Sequence, residues 1–307
     1  MEKKLQKKPI SLPRLATTVA TLTALVLAIA KIIVGLLSGS VAVIASALDS
    51  ILDMVISIFN NIAVRISESK PDDKFNYGKG KIEGLAALFE GLFIIASGIF
   101  IIYEGIKKII HHETIKDVDI SIYVMLFSML ATGALVAFLA YVAKKTDNLI
   151  VKSDLLHYKT DLLTNGAVLV SLIIVKLTGF YYLDFILSII IGLYIIKEAS
   201  EIVKQGLEIL LDASLDFETV EKIKKIIKKE PLVLDFHCLR TRKAGNRNFV
   251  DVHLVLTPEM KLKLAHTIIE NVEEKIRALD PNKKWIINIH ADPYDDSHIN
   301  KLLEECE

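Results

Sequence analysis

The run Ala45 Ser46 Ala47 Leu48 Asp49 Ser50 Ile51 Leu52 Asp53 Met54 Val55 sets two carboxylates inside an apolar stretch that reaches from Val41 to Ile66. An apolar bilayer core about 30 Å thick takes roughly 20 helical residues, so a stretch of this length reads as a membrane-spanning helix. The separation of four places Asp49 and Asp53 on one helix face, about one turn apart. An ionised aspartate deep in a span costs on the order of 3 kcal/mol on insertion scales, and such residues mark ion or proton pathways.

Five more segments reach or approach spanning length: Leu15 to Leu37, Ile82 to Ile110, Val118 to Ala143, Asp154 to Leu177 and Leu183 to Val203. The first follows a basic start at Lys3, Lys4, Lys7 and Lys8, but its apolar run is too long for the core of a signal peptide, so it reads as a retained span. Cytoplasmic loops collect Lys and Arg. The turns at Ser38 to Ser40 and Thr178 to Tyr182 carry none, whereas the N-terminus, Arg65 to Lys81, Lys144 to Lys152 and the chain after Lys204 carry many. Six spans with both termini cytoplasmic follow, although the loop Lys107 to Lys116 is also basic.

Composition agrees: the 307 residues are 52% hydrophobic, too apolar for an ordinary soluble chain of this size. Lys plus Arg and Asp plus Glu are equal at 37 each, so no global field points to nucleic acid. The two cysteines, Cys238 and Cys306, match no zinc motif and make no disulfide framework, which suits a reduced cytoplasmic setting for the second half.

After Lys204 the character turns soluble. Phe217 to Lys229 and Met260 to Ala278 read as helices, and Leu232 to Thr241, Phe249 to Leu256 and Trp285 to His290 as strands, with a Gly245 Asn246 turn between the first two strands. That order suits a small α+β domain with helices on one face of a sheet. Strand alternation puts Leu232, Leu234 and Phe236, then Val250, Val252, Leu254 and Leu256, then Trp285, Ile287 and Ile289 toward the core. His237, His253 and His290 therefore converge on the uncovered face, with Asp292 just beyond. Three histidines on one face point to a metal site, whereas a lone one would read as merely solvated.

His157 and Asp161 repeat the four-residue spacing in the fifth span, so two helices can surround one ion with four ligands. Asp154 and His157 also sit near the start of that span, where end-of-helix residues are common. Three carboxylates and one imidazole accept zinc, ferrous iron, cadmium, manganese or cobalt, whereas calcium wants more oxygens and copper(I) wants sulfur. Without metal the carboxylates would crowd negative charge in a low dielectric, so protons should replace the ion. Histidine, with a reference pKa of about 6.5, is the residue type best suited to that exchange.

Together Ala47 Leu48 Asp49 Ser50 with Asp53, Tyr77 Gly78 Lys79 Gly80 Lys81 Ile82 Glu83, His157 with Asp161, and His290 Ala291 Asp292 Pro293 resemble the cation diffusion facilitator family, specifically its bacterial zinc and ferrous-iron efflux branch. The resemblance runs from about Leu15 to Pro293. It implies a homodimeric, proton-coupled antiporter of the inner (plasma) membrane that works by alternating access, with a ferredoxin-like, metallochaperone-like cytoplasmic domain that also binds metal. It assigns Asp49, Asp53, His157 and Asp161 to the transport site. It also assigns His237, His253 and Asp292 to one cytoplasmic ion and His266, His290 and Asp292 to another, with Asp292 bridging. Lys81 and Asp212 match an interprotomer charge network. The family's loop site would begin at Asp72, but Phe75 and Lys79 stand where members can carry histidines, and an ammonium cannot ligate a cation.

The expected organisation is a basic N-terminus at 1–13, a six-span transport domain at 14–206, a cytoplasmic metal-binding and dimerisation domain at 207–296 and a tail at 297–307. The metal is expected as cargo and bound ion, without an organic cofactor. An intramembrane metalloenzyme would also use these ligands, but the chain has no HExxH. A membrane-bound metal sensor without transport would need the cytoplasmic histidines but no ligands in the bilayer, and the aspartate pair argues against it.

Overall fold

The structure is a computed structural model, and it describes residues 10–38, 41–111, 119–178 and 182–298. The basic start, the short turns near residues 39–40 and 179–181, the loop at 112–118 and Cys306 in the tail lie outside the described residues. The chain divides into two compact units, Met1–Leu207 and Glu208–Glu307.

The first unit is helical: α1 Leu12–Ser38, α2 Val41–Ser67, α3 Ile82–His111, α4 Asp119–Thr146, α5 Leu149–Thr178 and α6 Tyr182–Leu210. Among the described residues, four of these helices contain stretches long and apolar enough to cross a membrane, Leu12–Val34, Ser46–Ser67, Ile82–Lys107 and Leu126–Thr146. Helix α5 is as long but carries Lys152, Asp154, Lys159 and Asp161 in its first half. Its start differs from expectation, because Asn148 accepts the amide of Val151 at 3.1 Å and begins the helix at Leu149 rather than Asp154. Asp154 and His157 consequently lie within the helix and not at its end.

Burial in this unit departs from a soluble protein's. Leu22, Val26, Leu52, Ile62 and Leu130 face outward, while Thr17, Ser57, Asn60, Glu90 and Asp154 are buried. Lipid solvates apolar side chains as well as a core does, so small and polar groups share the interior with buried Ile94, Leu139, Ile150 and Ile195. Small residues let helices approach closely: a Cβ added at Gly206 of α6 would stand 2.8 Å from the Gly84 carbonyl oxygen of α3. Between α2 and α3, Gly78 takes φ 82°, and Glu83 then accepts the Leu149 amide at 2.6 Å, tying the starts of α3 and α5.

The second unit is an α+β layer. Helix α7, Phe217–Lys228, is capped by Asp216, which accepts the Thr219 amide at 2.9 Å. Strands β1 Asp235–Ala244 and β2 Arg247–Val255 form an antiparallel hairpin whose turn uses Gly245 at φ 60°. Helix α8, Leu262–Arg277, crosses over to β3, Lys284–Asp292, which runs parallel to β2, giving the order β1-β2-β3. Among the described residues the sheet has three strands, so the leading strand of a full ferredoxin-like βαββαβ unit is not among them. Ile223 and Ile227 of α7 and Val272 and Ile276 of α8 pack on Val250, Val252 and Leu254 of β2.

Two expected core residues are displaced. Leu232 and Leu234 precede β1 and are 46% and 63% exposed. Farther along, β1 carries a bulge between His237 and Arg240, with Cys238 at φ 54°. An extra residue reverses the facing alternation, so Phe236 and Leu239, three apart, both pack on the core.

Candidate metal centres

Helices α2 and α5 bring together Asp53, His157 and Asp161, whose ligating atoms all lie within 4.8 Å of one another. His157 Nε2 is 3.1 Å from Asp53 Oδ1 and 3.9 Å from Asp161 Oδ2. One turn beyond Asp53, Ser57 Oγ meets at 2.6 Å the OH of Tyr158, the residue next to His157, a buried bond that fixes α2 against α5. The His157 ring packs edge-on to Tyr158, so its orientation is set by its surroundings. Asp49 is exposed and outside this set, although its charge acts on both Asp53 and Asp161. Three of the expected transport ligands therefore converge, and the fourth stands one turn away.

Two polar features here escaped the sequence reading. Lys31 of α1 reaches inward and donates from Nζ to Ser50 Oγ at 2.7 Å. A lysine inside a span was signal enough to be noticed. Deeper in the bundle, Asn60 Nδ2 donates to Glu90 Oε2 at 3.0 Å and to Asp154 Oδ1 at 3.3 Å, linking α2, α3 and α5. The remaining oxygens Glu90 Oε1, Asp154 Oδ2 and Asn60 Oδ1 are buried without a hydrogen bond.

In the second unit His237, His253 and His290 occupy paired positions on β1, β2 and β3 and form one row across the sheet. Asp292 binds the row together: Oδ2 lies 3.2 Å from His237 Nε2 and 3.0 Å from His253 Nδ1, and Oδ1 lies 3.0 Å from His290 Nε2. Asp296, not anticipated from sequence, brings Oδ1 to 3.2 Å from His237 Nε2 and completes a ligating set of His237, His253, Asp292 and Asp296. His237 Nε2 is buried and makes no hydrogen bond despite two nearby carboxylates, as a nitrogen aimed at an ion would be. The site thus fits a metal. His266 does not join it: the side chain is 68% exposed and pairs with Glu270 on its own helix.

Asp72 is engaged otherwise. Lys79 Nζ meets its Oδ2 at 2.7 Å, while the amides of Lys74 and Phe75 donate to Oδ1 at 3.1 and 2.8 Å. The Lys79 hydrogen bond, then that from Phe75, holds the carboxyl below its usual range. Asp212, at φ 58°, pairs with Arg242 Nη1 at 3.2 Å.

The family model described as the cation efflux transmembrane domain matches residues 17–211. The chain belongs to the cation efflux family. The model for the cytoplasmic domain of cation efflux proteins matches residues 215–294. Relatives include the cation-efflux pump FieF of Shewanella oneidensis, 34% identical over 77% of this chain and 79% of that protein. That of Klebsiella pneumoniae is 34% identical over 77% of this chain and 78% of that protein. The metal-bound C-terminal domain of the CzcD transporter from Thermotoga maritima is 19% identical, with a TM-score of 0.23 over 25% of this chain and 87% of that one. The cation efflux family, which is the cation diffusion facilitator family, consists of metal-ion transporters and not enzymes, so the ion is cargo.

Proposed function

We propose that this protein exports divalent transition-metal ions from the cytoplasm across the inner membrane in exchange for protons, by alternating access. Zinc and ferrous iron lead the proposed cargo, with cadmium, manganese and cobalt accepted by the same donors. The observation that carries this is the convergence of Asp53, His157 and Asp161 between two long helices of the first unit. Asp49 is proposed as the fourth ligand, recruited by a small shift of α2 when the ion enters.

In this reading the protein spans the membrane six times, with both termini cytoplasmic, and works as a homodimer. The match to the cytoplasmic domain of cation efflux proteins supports that placement of the second unit. His237, His253, His290, Asp292 and Asp296 hold ions there, and Lys81 and Asp212 contribute charges at the protomer boundary. The contact between His157 and Asp53 explains the exchange. Without metal a proton is shared between imidazole and carboxylate, and an arriving cation must displace it.

The test is reconstitution into proteoliposomes with a metal panel and an internal pH dye. Metal accumulation accompanied by counter-movement of protons, and abolished by Asp53→Ala, is expected. Metal movement that survives Asp53→Ala unchanged would remove the proposed site.

A further inference from the structure

Lys31 interrupts the apolar run of α1 seven residues before the helix ends at Ser38. A lysine so near a helix end would ordinarily extend its ammonium to the membrane surface. Instead Nζ bonds Ser50 Oγ at 2.7 Å, and Ser50 is 2% exposed on α2 between Asp49 and Asp53. The acidic groups whose charges act on Lys31 are Asp53, Asp161 and Asp49. These are the three carboxylates of the proposed transport site, and the cation whose field acts on them sits on a helix that contributes no ligand.

The charges decide what such a cation does. Three ionised carboxylates and a neutral imidazole sum to three negative charges, which a divalent ion leaves one short of neutral. With an ammonium alongside, the same cage presents two negative charges, and a divalent ion closes it to zero. A neutral assembly is the one a low-dielectric membrane tolerates as the site changes sides. When the cargo departs, the ammonium stays and partly compensates the carboxylates.

We propose that Lys31 is a tethered counter-charge that matches the transport site to divalent cations and lowers its hold on them enough for release. The proposal rests on the reading of Asp49, Asp53, His157 and Asp161 as that site. Lys31 does not ligate the cargo. It acts through the field at the carboxylates, and through Ser50 on the α2 turn that bears two of them.

The experiment is zinc transport by the full chain in proteoliposomes at one fixed pH gradient, with KM and maximal rate determined separately. Lys31→Met removes the charge, and Lys31→Arg keeps it, since a guanidinium stays protonated in proteins. Removing a like charge whose field reaches the three carboxylates should lower KM for zinc about ten-fold in Lys31→Met while the maximal rate falls several-fold. Lys31→Arg should stay within about two-fold of the parent in KM. Lys31→Gln keeps a donor for Ser50 without the charge, should behave as Lys31→Met, and replaces it if that variant does not fold. An unchanged or raised KM in a folded uncharged variant, or Lys31→Arg behaving as Lys31→Met, overturns the counter-charge. Asp53→Ala separates the two levels: if it transports normally, the transport-site reading fails. If it is inactive while the uncharged Lys31 variants keep the parental KM, only the counter-charge fails.

Discussion

His157 on α5 and Asp53 on α2 meet at 3.1 Å, so the ring nitrogen that would bind a cation already faces a carboxylate from another helix. In the proposed function, metal and proton compete for this contact. Asp161 adds a second carboxylate 3.9 Å from the same nitrogen.

Under the proposed exchange, metal movement should depend on the proton gradient. Zinc uptake into proteoliposomes should rise when the opposing gradient is steepened and fall toward the leak when it is collapsed. His157→Ala should lose at least about ten-fold in rate, since removing a partner of a metal site commonly costs that much. Flux indifferent to an imposed pH difference would exclude antiport.

Asp49 stands apart from the three converged residues, and as the proposed fourth ligand it is the position where cargo choice should be tunable. Asp49→His lowers the formal negative charge by one and adds a nitrogen ligand, which zinc tolerates better than manganese or ferrous iron does. The ratio of zinc to manganese flux should increase in a variant shown to be folded. A ratio that stays level or drops, with zinc flux still measurable, would place selectivity elsewhere.

In the second unit Asp292 touches all three ring nitrogens of the row, whereas His266 pairs with Glu270. For a fragment beginning at Asp212, calorimetry should show zinc binding that Asp292→Ala weakens by about ten- to a hundred-fold, in line with the cost of losing a metal-site partner. His266→Ala should leave the binding curve in place. Zinc bound as tightly without Asp292 would refute the bridging role, and a lost equivalent in His266→Ala would bring that residue back into the site.

The loop at Asp72 should bind no metal and respond to acid. Its folded pKa lies below the ordinary carboxylate value of about 3.9, chiefly through Lys79. A depressed pKa contributes stability that is present above the unfolded value and is lost as pH falls through the folded one. Protection of the Lys74 and Phe75 amides, relative to their intrinsic exchange rates at each pH, should therefore be steady from neutral pH to about pH 5 and fall below about pH 4. Asp72→Ala should speed that exchange at neutral pH while leaving the zinc stoichiometry of the full chain unchanged, and a lost zinc ion would show that the carboxylate ligates after all.

Periodicity made much of this legible. The long helices, the i, i+4 pairs at Asp49 and Asp53 and at His157 and Asp161, and the shared face of His237, His253 and His290 follow from spacing alone, because helices and strands repeat locally. What escaped depends on other elements. The bulge at Cys238 has no sequence signal of its own kind, yet it decides that Leu239 enters the core beside Phe236. Asp296 lies beyond β3 and reaches His237 only after the chain turns back. Lys31 and Glu90 were visible as charges within spans, but their partners Ser50, Asn60 and Asp154 sit on different helices, which no local pattern identifies.

The histidine row has a ruler built into it. The ring centres of His237 and His253 are 5.0 Å apart and those of His253 and His290 are 4.7 Å apart. Neighbouring strands in any sheet run about 4.7–4.9 Å apart, so these intervals repeat the strand spacing. The pitch at which nitrogens are offered to an ion is thus inherited from backbone hydrogen bonding and owes little to the side chains packed beneath. Mutational drift in the core of this unit can loosen or tighten its packing without recalibrating the row, and only slippage of a whole strand would do that.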